Sequence, residues 1–188
     1  IHSIINSFDA GISLSVEHLL HMGCRRLALL TPPGTQSKSA GLQQAAFLAC
    51  TKADPLVKKA RVFTHRWTDP QFAQAGFACA EQAFSQDPDL DGIIGWTDAY
   101  CAGILWYLYK TGRQVPRDVK LIAANDDYAP YLCPPLTSYS FSTSTLCAEA
   151  VELLVALQSP RQRQNVRHLY IAPTFTVRGS TDPDKFPH

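Results

Sequence analysis

The sequence predicts an α/β domain with a doubly wound, mostly parallel sheet. Three observations predict it: short apolar runs recur along the chain, each is followed by a stretch of helical periodicity, and the runs are apolar throughout. Strands that are apolar on both faces and alternate with helices are typical of a parallel sheet covered on both sides. We therefore expect every strand-to-helix loop to lie on one edge of the sheet.

The elements follow in a regular order over the first two-thirds of the chain. We expect strands at residues 4–5, 27–30, 61–64, 92–95 and 119–124, and helices at 12–22, 39–53, 69–85 and 98–111. Gly23 and Gly112 mark helix ends because glycine accepts the left-handed conformation found there, and Pro70 after Asp69 is typical of a helix start.

The pattern changes after Asn125. We expect an extended segment at 136–141, a helix at 148–157, a last strand at 169–171 and an extended piece at 175–178.

Composition excludes several classes of protein. The chain has 188 residues, 46% of them hydrophobic, and a net charge of +1, which gives no general attraction to nucleic acid or anionic membranes. No apolar run is long enough to cross a bilayer. The six cysteines are scattered without a CxxC pair, which predicts reduced thiols in an intracellular protein, with Cys50 and Cys79 as core residues. The chain opens on Ile1 rather than Met, and we expect it to continue from a preceding segment.

The expected loops carry side chains suited to a polyol. A sugar needs short donors and acceptors for its hydroxyls and an aromatic face for its C–H surface. The loops at 31–39, 64–69, 95–98 and 123–127 supply Ser37, Ser39, Trp67, Trp96, Thr97, Asp98, Asn125 and Asp126. Helix capping is the alternative for Ser39, Asp69 and Asp98, which stand where an N-cap is expected.

Catalytic and metal motifs are weak. We find no GxSxG, Walker or GxGxxG motif. His18, His21 and Cys24 are spaced three apart, but Gly23 is expected to end their helix before Cys24, so a solvated helix end is favoured over a metal site. We predict no enzyme activity, no metal and no cofactor.

Several blocks resemble LacI/GalR-type transcriptional regulators, in the order and approximate spacing of that family. They are residues 15–30 (SVEHLLHMGCRRLALL), 91–98 (DGIIGWTD), 112–122 (GRQVPRDVKLI), 134–138 (PPLTS) and 177–181 (VRGST). Cys24 replaces a histidine that is usual in the first block.

The resemblance implies a periplasmic-binding-protein-like type I fold that binds a small effector, a sugar or polyol, between two subdomains. Residues 1–138 would form the C-terminal subdomain. Residues 139–181 would contribute a crossover, a helix and a strand to the other subdomain, and 182–188 would be a tail. Family members also carry a helix-turn-helix domain that binds operator DNA, and nothing in this sequence matches it.

The resemblance also implies ligand residues. The positions that correspond are Ser39, Gln43, Trp67, Thr97, Asp98, Asn125 and Asp126. Gln43 stands where family members frequently have an arginine that binds sugar hydroxyls through two parallel hydrogen bonds. A glutamine cannot form that bidentate contact. Alternatively, Gln43 is a surface residue facing solvent.

The family forms dimers, and residues 98–111 carry more apolar side chains than one sheet-facing stripe requires. We predict a two-fold homodimer through Ala102, Leu105, Trp106 and Tyr109. Alternatively, Trp106 covers the sheet edge or lines a neighbouring groove.

Two other functions stay open at this stage. One is a periplasmic sugar-binding protein of the same fold, and the other is an enzyme that uses Asp98 or Asp126 as acid or base. The regulator is favoured, and it would be cytoplasmic.

Overall fold

The computed structural model describes residues 2–66, 71–158 and 166–185. The strands are β1 (Ser3–Asn6), β2 (Arg26–Thr31), β3 (Lys59–Thr64), β4 (Gly92–Gly95), β5 (Lys120–Ala124), β6 (Thr137–Ser140), β7 (His168–Ile171) and β8 (Thr174–Thr176). The α-helices are α1 (Phe8–His21), α2 (Lys38–Ala53), α3 (Phe72–Gln86), α4 (Asp98–Lys110) and α5 (Thr143–Ala156).

Six strands form the main sheet in the order β3-β2-β4-β5-β6-β8. Neighbouring strands from β3 to β6 are parallel, and β8 runs antiparallel beside β6. From β2 the chain first adds β3 on one side and then adds β4, β5 and β6 on the other, so the winding reverses at β2. The predicted doubly wound, mostly parallel α/β fold is confirmed.

The first predicted strand lies outside this sheet. We expected residues 4–5 to open the main sheet, but β1 pairs in parallel with β7 in a separate two-stranded sheet. That expectation is wrong. The fifth parallel strand of the main sheet is β6 instead. An apolar run shows that a strand is buried, but it does not show which partner strand covers its edge.

Helices cover both faces of the main sheet. Leu27 and Leu29 of β2 pack in a core with α1 and α2, whereas Ala28 and Leu30 pack in a second core with α3 and α4. The side chains of a strand alternate between its two faces, so one apolar run contributes side chains to both cores. All four residues are fully buried.

Helix starts differ from the expected residues. Ser37 caps α2 and Thr97 caps α4, so the expected caps Ser39 and Asp98 lie inside the first helical turn. Helix α5 begins at Thr143 rather than at residue 148. The expected start of α3 at Asp69 lies outside the described residues. The predicted ends at Gly23 and Gly112 are confirmed, because both glycines adopt positive φ angles directly after the C-cap residues of α1 and α4.

Across the described residues, we find no helix with the length and apolar character needed to span a membrane.

Candidate functional site

The strand-to-helix loops meet at the carboxyl edge of the main sheet, as expected. Because β2, β4 and β5 are parallel, the chain after Thr31, Gly95 and Ala124 leaves the sheet on the same side. In open α/β sheets, ligands bind in the crevice beyond this edge. The first turns of α2 and α4 and the residues after β5 therefore form the candidate site.

Two adjoining cavities open at this edge and share Asn6 as a wall. The first, called here the polar cavity, has a volume of about 320 Å³ and is lined by Asn6, Asn125, Asp126, Asp127, Ser140, Phe141 and Thr143. The second, called here the apolar groove, has a volume of about 830 Å³ and is lined by Ile4, Ile5, Asn6, Phe8, Asp9, Lys38, Ser39, Leu42, Ala45, Ala46, Ala49, Leu146 and Tyr170. Both volumes suit a small organic ligand.

Asn125 is exposed in the polar cavity and has a special backbone conformation. Its φ angle is 69°, and it is the one non-glycine residue with a positive φ among those described. Asparagine tolerates this left-handed region better than most residues. Its backbone N–H donates to the carbonyl oxygen of Tyr139 at 2.9 Å, which ties the end of β5 to β6.

Asp126 lies in the same cavity, but protein groups already occupy its carboxylate. Arg178 donates from Nη1 to Oδ1 at 2.7 Å and from Nη2 to Oδ2 at 2.8 Å. The Ser138 hydroxyl also donates to Oδ1, at 2.6 Å. Burial raises the pKa of Asp126, but the hydrogen bonds from Arg178 and Ser138 outweigh that effect and hold the pKa below its ordinary value.

Asp98 is buried and holds the next loop. Its Oδ2 accepts the backbone N–H groups of Tyr128 at 2.6 Å and Ala129 at 3.2 Å, and its Oδ1 accepts that of Ala99 at 2.8 Å. The neighbouring Thr97 hydroxyl accepts the Tyr100 N–H at 3.2 Å. The side chains of Thr97 and Asp98, the two predicted site residues at the start of α4, are therefore engaged in ordering the chain around the crevice.

Ser39 and Gln43 lie one turn apart on α2 in different surroundings. Ser39 lines the apolar groove, and its hydroxyl is 2.9 Å from that of Ser37. Gln43 is 1% exposed on the inward stripe that also contains Ala40 and Phe47. The alternative that Gln43 faces solvent is wrong. Its Oε1 is buried without a hydrogen-bond partner among the described residues.

Comparison with known proteins identifies the family. Residues 16–181 match the family described as a periplasmic binding protein-like domain. The chain belongs to this family.

The relatives of this periplasmic-binding-protein-like chain are transcriptional regulators. The HTH-type transcriptional regulator GanR of Bacillus subtilis is 24% identical over 149 residues, which cover 79% of this chain and 44% of the relative. The lactose operon repressor of Escherichia coli is 27% identical over 186 residues, which cover 96% of this chain and 48% of the relative. The chain thus spans about half the length of the curated relatives that it matches.

Solved structures show the same periplasmic-binding-protein-like fold. The Lac repressor bound to ONPG aligns with a TM-score of 0.82 at 24% identity, over 96% of this chain and 53% of that chain. A LacI family regulator from Enterococcus faecium with bound ribose aligns with a TM-score of 0.80 at 19% identity, over 97% of this chain and 66% of that chain. The resemblance to LacI/GalR-type regulators is confirmed.

The structure of this periplasmic-binding-protein-like domain adds site residues that the sequence did not indicate. Asn6 lines both cavities, and its Oδ1 is buried without a hydrogen-bond partner among the described residues. A polar residue that ends the apolar run at 4–5 was the available signal. No local sequence pattern could have predicted the contact of Arg178 with Asp126, because the two residues are distant in sequence. Trp67 lies outside the described residues.

No metal site accompanies these cavities. Within residues 2–66, 71–158 and 166–185, no group of three or more His, Cys, Asp or Glu side chains is arranged to hold a metal ion. The side chain of His18 has a protein partner instead: its Nε2 lies 2.8 Å from the Thr181 hydroxyl.

Proposed function

We propose that this chain is the effector-sensing part of a bacterial transcriptional regulator and that its effector is a sugar or a related polyol. The observation that carries the proposal is the polar cavity at the carboxyl edge of the sheet. Amide, carboxylate and hydroxyl groups of Asn125, Asp127, Ser140 and Thr143 line it, and such groups match paired sugar hydroxyls. Known relatives include the lactose and ribose operon repressors, which supports the same ligand class.

The proposed residue roles divide into direct contacts and loop supports. Ser39, Asn125 and the newly found Asn6 line the cavities and would contact the ligand directly. Thr97, Asp98 and Asp126 would shape the site, because their oxygen atoms already accept hydrogen bonds from the protein. Gln43 would form part of the wall of the ligand site beneath the first turn of α2. Trp67 would supply an aromatic face for the ligand.

The two sheets suggest how binding would produce a signal. Asn6 belongs to the small β1-β7 sheet, whereas Asn125 follows β5 of the main sheet. A ligand that contacts both would favour one relative arrangement of the sheets and shift an equilibrium between open and closed states. In the regulator, such a shift would change the affinity of a separate DNA-binding segment for its operator in the cytoplasm.

A binding screen on the intact protein tests the proposal. We expect ribose, lactose or cellobiose to raise the unfolding temperature, because a ligand at one hundred times its Kd adds about 2.7 kcal/mol of stability. Asn125→Gly should lower the affinity for the sugar at least about tenfold by titration calorimetry, since glycine accepts the same left-handed backbone but cannot donate a side-chain hydrogen bond to the ligand. The exposed Asp118→Ala serves as the control and should bind normally. If none of the three sugars binds, the proposed ligand class is wrong.

We also propose the homodimer through α4. Trp106 and Tyr109 are 55% and 86% exposed, and Ala102 and Leu105 are half-buried beside them. The ring of Trp106 lies 4.7 Å from that of Phe77 on α3, so α3 and α4 together present an aromatic surface. Large exposed aromatic side chains in one patch are typical of an interface.

A further inference from the structure

We propose that Arg178 is a positioning residue for the effector: its guanidinium holds Asp126 and thereby fixes residues 125–127, called here the 125–127 loop, in the conformation that faces the ligand. This inference rests on the proposed function, because it assumes that the polar cavity receives the effector. It assigns a role to the closing VRGST segment, which lies next to the site without lining either cavity.

Hydrogen bonds to β6 hold the backbone of Arg178 in place. Its N–H donates to the Thr137 hydroxyl at 2.9 Å, and that hydroxyl donates to the Arg178 carbonyl oxygen at 3.1 Å. Two residues later, Ser180 is fully buried, and its hydroxyl accepts the Thr137 N–H at 2.8 Å. The Ser180 carbonyl oxygen accepts the Leu121 N–H at 3.1 Å. The segment is therefore fastened to both β5 and β6.

The guanidinium then spans from β6 to the 125–127 loop. Nη1 donates to the Leu136 carbonyl oxygen at 2.7 Å and to the Ser138 hydroxyl at 3.0 Å, as well as to Asp126. Nη2 supplies the second bond to Asp126. The side chains of Arg178 and Asp126 are 17% and 29% exposed, so solvent weakens this pair less than it weakens a surface pair. A planar two-pronged contact fixes direction as well as distance.

Asp126 stands between two residues that face the cavity. Asn125 and Asp127 are both exposed there. Asn125 keeps a left-handed backbone, which residues with a side chain rarely adopt. The bond from its N–H to the Tyr139 carbonyl oxygen holds the loop on one side, and Arg178 holds it on the other through Asp126. Loss of the arginine should therefore free the loop while leaving the bond to Tyr139 in place.

Hydrogen exchange on the intact protein tests this role without any ligand. In Arg178→Gln we expect the backbone amides of Tyr128 and Ala129, which donate to Asp98 directly after the loop, to exchange at least about tenfold faster than in the wild type, the factor for about 1.4 kcal/mol of lost interaction. Arg178→Lys should give a smaller increase, because lysine keeps the charge but not the two-pronged geometry. The amides of β2 serve as an internal reference and should be unchanged.

A matched control comes from an exposed pair of the same type. Arg117 Nε lies 2.9 Å from Asp118 Oδ1, and the two side chains are 68% and 36% exposed. Arg117→Gln should leave exchange at Tyr128 and Ala129 unchanged. If Arg178→Gln does not fold, Asp126→Asn replaces it, because asparagine keeps the shape and loses the charge. The inference is overturned if exchange in the variant rises no more at Tyr128 and Ala129 than in β2.

Sugar binding provides the second readout. With ribose, lactose and cellobiose as probes, Arg178→Gln should lower the affinity for the sugar that binds the wild type by at least about tenfold, whereas Arg117→Gln should stay within about twofold. Unchanged affinity for that sugar refutes the positioning role, even if exchange at the loop rises. If the wild type binds none of the three, the proposed ligand class fails, and the exchange measurement alone still decides whether Arg178 holds the loop.

Discussion

Burial gives the cysteine side chains different chemical properties. Cys24, Cys79 and Cys101 are buried, Cys50 is partly buried, and Cys133 and Cys147 are exposed; all six are free thiols. Burial raises the pKa of Cys24 to about 12 and that of Cys79 to about 11. The sequence-based interpretation of core thiols holds for Cys79, whereas Cys50 lies nearer the surface than expected. The reactive thiolate form is therefore disfavoured inside the cores.

Thiol labelling tests this division. We expect iodoacetamide at about pH 7.5 to alkylate Cys133 and Cys147 in the native protein and to leave Cys24, Cys79 and Cys101 unmodified on the same timescale, because the buried thiols lack both access and thiolate. Peptide mass spectrometry gives the extent at each site. All six should react once denaturant is added. Rapid native alkylation of Cys79 would contradict the assigned burial.

His18 is predicted to make stability depend on pH. Burial and the nearby His21 lower the pKa of His18 below 6.5, and Asp182 opposes them. The folded state therefore resists protonation, while the unfolded chain takes up a proton near pH 6.5. The free energy of unfolding should fall as the pH drops from about 6.5 through the lowered pKa of the folded state.

Urea unfolding between about pH 5 and pH 7.5 measures this dependence. In His18→Gln we expect a smaller loss of stability on acidification than in the wild type. His65→Gln, which changes an exposed histidine, should follow the wild-type curve. Identical pH dependence in His18→Gln and the wild type would rule out His18 as the group responsible.

At the scale of elements, α3 and α4 pack with their backbones in contact. A Cβ atom added at Gly103 would lie 1.7 Å from the Ala73 carbonyl oxygen, and one added at Gly76 would lie 2.0 Å from that of Tyr100. Neither position has room for a methyl group. Aromatic rings from both helices then stack alongside the contact, with Phe84 and Tyr107 centroids 5.7 Å apart.

Gly103→Ala should therefore separate the two helices. We expect it to lower the free energy of unfolding by about 3 kcal/mol or more, because the clash is with backbone atoms that cannot rotate away. Gly41→Ala on α2 is the control: its Cβ would lie 3.5 Å from the Gly34 Cα, an ordinary contact. That change should stabilise the helix by about 0.5–1 kcal/mol. Chemical denaturation gives both values, and equal stabilities would contradict the close contact.

The same element scale shows what local sequence patterns can predict. The helix ends at Gly23 and Gly112 followed from the residues themselves, because a positive φ angle is a local property. The helix starts lie after Ser37 and Thr97 instead, because neighbouring residues with capping side chains, Ser39 and Asp98, compete for one capping position. The sheet that contains β1 was missed, because its partner β7 lies near the other end of the chain.

At the scale of the whole molecule, the position of the site was predictable and the use of its side chains was not. Parallel strands place their loops on one edge, and Ser39 and Asn125, which the sequence places in those loops, line the two cavities there. The carboxylate of Asp126 looked available for a ligand, but Arg178 occupies it. That pairing depends on where residues 177–181 lie against β6. No local sequence pattern indicates this position.

Tyr109 offers the sharpest test of the proposed assembly, because a change there should not disturb folding. It is 86% exposed on α4, and Tyr170 on β7 is a comparable exposed tyrosine, at 66%, outside the proposed interface. We expect the intact wild-type protein to sediment as a dimer at about 10 µM. Tyr109→Arg should weaken the dimer by at least about thirtyfold, the effect of losing a 2 kcal/mol interface residue. Tyr170→Arg should sediment like the wild type, since Tyr170 lies on the β1-β7 sheet and not on α3 or α4. A wild type that stays monomeric would refute the proposed homodimer, and a Tyr109→Arg variant that dimerises normally would place the dimer interface on another surface.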